Sequence, residues 1–224
     1  MNRFGALALA AGLALAGCQP LLAAEKAVAA PAAKRIAAEK PGLKTAVFAG
    51  GCFWGVEAVF SHMKGVKSAV AGYHGGTARA ATYELVSSGM TDHAEAVKVT
   101  YDPAVVRYDQ LLRVFFSVVA DPTLKNRQGP DVGAQYRAAL VPASAEQRAV
   151  AAAYLAQMTA SGVWKKPIVT RIETAEAFHP AETYHQDFAL KNPRHGYIVR
   201  WDAPKVAGLK AMYPALYKPS FTPN

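Results

Sequence analysis

The sequence predicts an α+β fold: a two-layer sandwich of a mixed β-sheet and packed helices, with a ferredoxin-like core. Three observations lead there. Some apolar residues alternate with period two, others recur at helical spacing, and the strands come both interleaved with helices and in hairpin-like pairs. With 224 residues, 52% of them hydrophobic and 10% aromatic, the chain can bury the core that such a sandwich needs.

The pattern begins at Lys44. KTAVFAG reads as a strand, and Val56, Val59, Phe60 and Met63 then recur at helical spacing before KGVKSAVAGY returns to a strand. AEAVKVTYDP sets Val97, Val99 and Tyr101 on one strand face, and YDQLLRVFFSVVAD is a helix with one apolar side. YRAALVP and KPIVTRIE are further strands. Between them, SAEQRAVAAAYLAQM opens with Ser144 and Gln147 at capping-box spacing, where side-chain oxygens can satisfy the free amides of a first turn. The polar stretch from Asp121 to Gln135 is expected to be a long loop, of the kind that lines a site or simply covers surface.

The N-terminus is a different kind of object. MNRFGALALAAGLALAGC has Arg3, an apolar run too short to span a bilayer stably, and small residues before Cys18. It resembles a bacterial lipoprotein signal, which implies removal of residues 1–17, a lipidated Cys18 and a membrane anchor; an ordinary secretory signal with Cys18 incidental is the competing reading. Gln19 after Cys18, rather than aspartate, points by resemblance to sorting patterns to the outer membrane. The expected location is therefore the bacterial cell envelope, as a periplasm-facing lipoprotein. Residues 18–43, rich in alanine, proline and lysine, read as a flexible tether. Removal of the signal takes Arg3 from a formal charge of +9 and leaves +8. Lysines and arginines are scattered without an aromatic-interleaved basic run, so no nucleic-acid partner is expected.

Only two cysteines are present, Cys18 and Cys52. In an exported protein an even pair first suggests a disulfide, but a lipidated Cys18 leaves Cys52 solitary. Cys52 lies in FAGGCFWGVEAVF, after a glycine pair that permits a tight turn and at the start of a helix. Unpaired amides and the helix dipole there are expected to lower a thiol pKa that starts near ~8.5, which makes a nucleophile. A small buried hydrophobe is the other reading. Phe53 and Trp54 either wall an apolar pocket or belong to the core.

GCFWGVE resembles the signature of the A class of peptide methionine sulfoxide reductases, which act on the S epimer. Four more segments agree in order: GYHGG, YELVSSGMTDHAEAV, NRQGPDVGAQYR and FHPAETYHQDF, together covering most of Lys44 to about Trp201. The resemblance implies a catalytic domain over residues 44–205, with Cys52 as nucleophile and Glu95 as the acid that protonates the sulfoxide oxygen. It further implies Tyr83 and Tyr136 as hydroxyl donors to that oxygen, Phe53 and Trp54 around the S-methyl group, and Asp131 as a substrate-holding acid. No bound cofactor and no metal are implied. The implied substrates are oxidised proteins and free methionine sulfoxide, handled by a monomer.

Reduction leaves Cys52 as a sulfenic acid. Many relatives resolve it with a later cysteine, but Ser87 stands where some have one, and the tail over residues 206–224 has none. An external thiol is therefore implied as reductant, either a thioredoxin-fold protein or a small thiol. Asp92 and Ala134 depart from the usual glycine and threonine, and Asp92 is expected to raise the pKa of Glu95 further. Two rival readings stand beside this one. A cysteine hydrolase would pair Cys52 with His93, His179 or His185, and a non-catalytic surface lipoprotein would use none of these groups. His179, Glu182 and His185 are spaced three and three, so on a helix the two histidines would point about 240° apart, poor geometry for a metal.

Overall fold

A computed structural model describes residues 27–224, and Cys18 and the signal lie outside them. The segment KTAVFAG forms β1 (Lys44–Gly50) and leads into α1 (Phe53–Ser61), β2 (Val66–His74) and a short α2 (Tyr83–Ser87). β3 (Ala94–Tyr101) and α3 (Tyr108–Val114) follow, the latter running on into a π-helical turn, Phe115–Val119. The chain then makes β4 (Arg127–Gln128), β5 (Asp131–Val132), β6 (Ala138–Pro142) and α4 (Ala145–Ser161). It ends with β7 (Arg171–Ile172), β8 (Phe178–Pro180), α5 (Phe188–Lys191) and α6 (Ala203–Met212).

The main sheet has the order β7-β6-β1-β3-β2-β8. Its four central strands run β6-β1-β3-β2 with every neighbouring pair antiparallel, the ferredoxin-like arrangement, and the parallel pairing of β7 with β6 makes the sheet mixed. Register decides which side chains share a face. Phe48 lies opposite Val97 and Leu140, Ala71 opposite Val97, and Tyr73 opposite Glu95. All six are buried, so the alternation that puts Val97 and Val99 into the core carries Glu95 inward with them. Phe60, Tyr108, Phe115 and Tyr154 from the helical layer pack onto this face, with Phe48 and Phe60 ring centroids 4.7 Å apart. The other face carries small residues, Ala49, Ala94, Ala96 and Ala139, against which Phe178 packs.

Ser144 caps α4, its hydroxyl accepting from the Gln147 amide at 3.1 Å, a contact worth about 1 kcal/mol. The Gln147 side chain does not close the expected box. It accepts from the Ala143 amide and donates to Glu39, the Thr45 carbonyl and Tyr101.

Three expectations need correction. The tether reading fails for residues 27–43, which lie along the domain as a strap. The amide of Val28 donates to the Ser117 carbonyl at 2.9 Å, Ala37 to Asp109 at 3.0 Å, and Lys34 to Gln157 at 2.8 Å. Glu39 accepts from the Tyr101 hydroxyl at 2.5 Å, and Ala30 is 1% exposed. Small alanines pack closely while polar side chains of α3 and α4 take the strap's backbone groups, so it needs no secondary structure of its own. The boundary at 205 also fails, because it falls inside α6, and the tail beyond is docked: Lys218 and Thr222 amides donate to the His62 and Ser61 carbonyls. Finally, the strand expected over KPIVTRIE shrinks to Arg171–Ile172, since the Val169 amide donates instead to the Pro122 carbonyl.

Candidate active site

The turn between β1 and α1 places the cysteine. Gly51 has φ of +86°, a conformation that a side chain would strain, and its chain reversal leaves Cys52 as the N-cap residue of α1. Phe53 and Trp54 open the helix and point to different neighbours. Phe53 is buried beside Tyr73, with ring centroids 5.9 Å apart. Trp54 stacks on Phe188 at 3.8 Å and donates its indole N–H to Nδ1 of His185 at 3.1 Å. Burial lowers the His185 pKa, so the ring is neutral and Nδ1 is free to accept.

Glu95 reaches the same spot from β3. It is 2% exposed, and its Oε2 accepts the Phe53 amide at 3.0 Å. Burial pushes its pKa up to about 8, helped by Asp131 and Asp202 and opposed by the Phe53 hydrogen bond, so the carboxyl is protonated at neutral pH. Asp92 is not among the groups that raise it; that residue lines a separate depression with Ala134 and Arg137.

Tyr83 begins α2, and its amide donates to Glu182, which also accepts the Tyr73 hydroxyl at 2.7 Å. Tyr136 ends the 3₁₀ turn Ala134–Tyr136. Burial raises the pKa of both hydroxyls, with Glu95 adding, so both remain donors. The expected loop from Asp121 to Gln135 contains the β4–β5 hairpin, pinned where the Gln128 side chain bonds both the amide and the carbonyl of Asp121 at 2.9 Å. This hairpin presents Asp131, which accepts a hydrogen bond from the Tyr197 hydroxyl.

The seven site residues expected in the domain, from Cys52 to Tyr136, line one cavity of about 260 Å³, and His195 and Tyr197 complete it. The expectation of a lowered cysteine pKa is overturned. Burial pushes the Cys52 thiol well above its ordinary value, Glu95, Asp202 and Asp131 push the same way, and the Trp54 amide opposes them without prevailing. A helix N-terminus favours an anion only weakly when its first turn is buried and already faces three carboxyl groups.

The hydrolase pairing finds no support among the described residues. His185 is engaged by Trp54, Nε2 of His93 lies 3.0 Å from the Thr77 carbonyl, and His179 sits on β8 with its ring edge-on to His93. None shares a hydrogen bond with Cys52. Among the described residues no group of three or more His, Cys, Asp or Glu is placed to hold a metal ion.

Sequence reasoning assigned no role to Tyr197, His195 or Asp202, and none to Glu182 beyond the metal spacing. Tyr197 and His195 sit in NPRHGYIVR, which has no periodicity to betray a buried face.

A sequence model of the family described as peptide methionine sulfoxide reductase matches residues 44–214. The chain belongs to the peptide methionine sulfoxide reductase family. Peptide methionine sulfoxide reductase MsrA 2 of Mesorhizobium japonicum is 54% identical over 177 residues, 79% of this chain and 91% of that one. The reductase of the same name from Synechocystis is 49% identical over 172 residues, 77% of this chain and 80% of that one. Among solved structures, Mxr1 from Saccharomyces cerevisiae in reduced form superposes with a TM-score of 0.59 at 32% identity, covering 72% of this chain and 92% of that chain. Methionine sulfoxide reductase A of Corynebacterium diphtheriae gives 0.58 at 33% identity, covering 70% and 78%. Family membership makes the Cys52 cavity the place to look for sulfoxide chemistry, and it extends the domain past the boundary expected at 205.

Proposed function

We propose that this methionine sulfoxide reductase acts on the S epimer, protein-bound or free, with Cys52 as nucleophile and Glu95 as acid. One observation carries the assignment: a thiol, a neutral buried carboxyl and two tyrosine hydroxyls line the same small cavity as two aromatic rings. Sulfoxide oxygen is a poor leaving group unless it is protonated, and Glu95 holds a proton at neutral pH. Tyr83 and Tyr136 donate to the oxygen as charge grows on it. Because the Cys52 thiol is also neutral at rest, attack is coupled to proton movement: Glu95 gives its proton to the oxygen and takes the thiol's. The S–O bond to methionine breaks, sulfur of Cys52 bonds the oxygen, and the products are methionine and Cys52 sulfenic acid.

Handedness follows from the walls. With the methyl group against Phe53 and Trp54 and the oxygen at the hydroxyls, the third substituent has one direction out, and only one epimer fits. Asp131, held by Tyr197, lines the same cavity.

Recycling uses an external thiol, a thioredoxin-fold protein or a small one. The first thiol displaces water and leaves a mixed disulfide on Cys52; the second releases Cys52 as the thiol and leaves the reductant as a disulfide. The protein repairs exported proteins at the cell envelope, anchored through Cys18 to the outer membrane. The docked strap supports an arrangement close to the bilayer, since Cys18 precedes Ala27 by only nine positions.

Turnover of separated sulfoxide epimers by the parent protein and Cys52→Ser, with dithiothreitol, tests this reading. The parent should reduce only the S epimer, and Cys52→Ser should reduce neither. Reduction of both epimers, or activity in the variant, defeats it. Mass spectrometry of the mature N-terminus tests lipidation, and an obligatory intrachain disulfide during turnover would exclude an external first thiol.

A further inference from the structure

Asp202 closes the π-helical turn Ile198–Asp202 and sits at the N-terminus of α6. It is 1% exposed, and neither carboxylate oxygen has a hydrogen-bond partner among the described residues. Such a group is costly, and its retention calls for a reason. The side chain lies against the first turn of α1: a Cβ added at Gly55 would stand 2.2 Å from Oδ1, so glycine there is what lets the carboxyl approach. The same turn starts at Cys52, and its Phe53 amide already serves Glu95. Three acidic groups thus converge on one helix N-terminus that can stabilise little more than half a charge.

We infer that Asp202 is a positioning residue of this reductase, whose buried carboxylate governs how readily Cys52 gives up its proton. The inference rests on Cys52 being the nucleophile. The groups that face Asp202 are Lys205 from α6, Asp131 from β5, Glu95 from β3 and Cys52 at the start of α1, with Tyr197 on its own turn. His62, from the far end of α1, lines the same apolar depression. Lys205 is the only cation in this set, and Asp131 repels a charge on Asp202. Burial, with Asp131 adding and Lys205 opposing, pushes the Asp202 pKa up to about 7. The carboxyl is therefore neutral in mild acid and charged above neutrality, when it holds the thiol protonated. A thiol reacts with peroxide far more slowly than a thiolate, so the arrangement protects a cysteine that has no later cysteine to rescue its sulfenic acid.

The test is the rate of iodoacetamide alkylation of Cys52, followed by mass spectrometry of its own peptide in the full chain from pH 5.5 to pH 9. Asp202→Asn and the parent should react equally below pH 6. The variant should be threefold or more faster at pH 8, and peroxide should oxidise its Cys52 correspondingly faster. Parallel profiles, or a constant ratio at all pH values, would mean that Asp202 only fills space and would overturn the inference. Asp202→Ser carries the same comparison if the asparagine variant does not fold. Alkylation needs no turnover, so failure here is distinct from failure of the reductase reading, which the epimer assay reports.

Discussion

Replacing Glu95 with glutamine should damage catalysis and strengthen the fold, and both effects follow from one buried proton. The carboxyl pKa stands at about 8 against an ordinary 4.5. Between these values the native carboxyl keeps a proton that the unfolded chain has released, so the unfolded state binds fewer protons and stability falls as pH rises. Glu95 therefore contributes no penalty below 4.5, and the penalty is complete above 8. From pH 4.5 to pH 7 the difference is about 2.5 units, or about 3 kcal/mol at ~1.4 kcal/mol per unit. Glutamine keeps an oxygen for the Phe53 amide but never ionises. Denaturant unfolding of both proteins at several pH values should show Glu95→Gln gaining about 3 kcal/mol on the parent between pH 4.5 and pH 7. Over the same range its kcat/KM should be lower by about 10²- to 10⁴-fold, the usual contribution of a positioned acid. The parent's activity should decline above pH 8, where Glu95 loses its proton. A stability difference that does not change with pH would refute the neutral, buried carboxyl and the acid role built on it.

Tyr136→Phe should lower kcat by about 10²- to 10³-fold with little change in melting temperature, since in the proposed mechanism it removes one donor to the developing oxyanion; steady-state kinetics and calorimetry check the two halves. Gly51→Ala should destabilise by at least ~1 kcal/mol in denaturant unfolding, because φ is +86° and the new Cβ would stand 2.6 Å from the Gln128 side chain. Glu39→Ala removes the acceptor for Tyr101, Gln147 and the Tyr108 amide, and should cost about 1–3 kcal/mol while exposing residues 27–43 to limited proteolysis.

Elements that carry their own periodicity were legible in the sequence. β1 begins and ends where KTAVFAG does, and the inward face of β3 could be read from Val97, Val99 and Tyr101. What could not be read were elements whose order comes from distant partners. The strap has no periodicity, and its amides find Asp109 and Gln157 at separations of 72 and 123 residues. Likewise, the apolar alternation of KPIVTRIE is genuine, but the Val169 amide is taken by Pro122 before the sheet can extend.

The site divides along the same line, and the division explains the one reversal of sign. A glycine pair, a cysteine and two aromatics at a strand-to-helix turn form a local signal, and a local argument from the helix N-terminus gives a lowered thiol pKa. Burial under the packed domain overturns that result, and three carboxyl groups add to it from β3, β5 and the turn before α6, none of which a local window contains. The reversal changes the chemistry required. A thiolate at rest would need only a proton donor for the sulfoxide oxygen, whereas a neutral thiol also needs somewhere to send its own proton. In the proposed mechanism Glu95 meets both demands with one carboxyl, because each proton it donates to oxygen is replaced by the one that leaves sulfur. On that proposal the acid that makes the oxygen a leaving group is also the base that makes the sulfur a nucleophile, and the cost of keeping it buried is the stability slope that Glu95→Gln should remove.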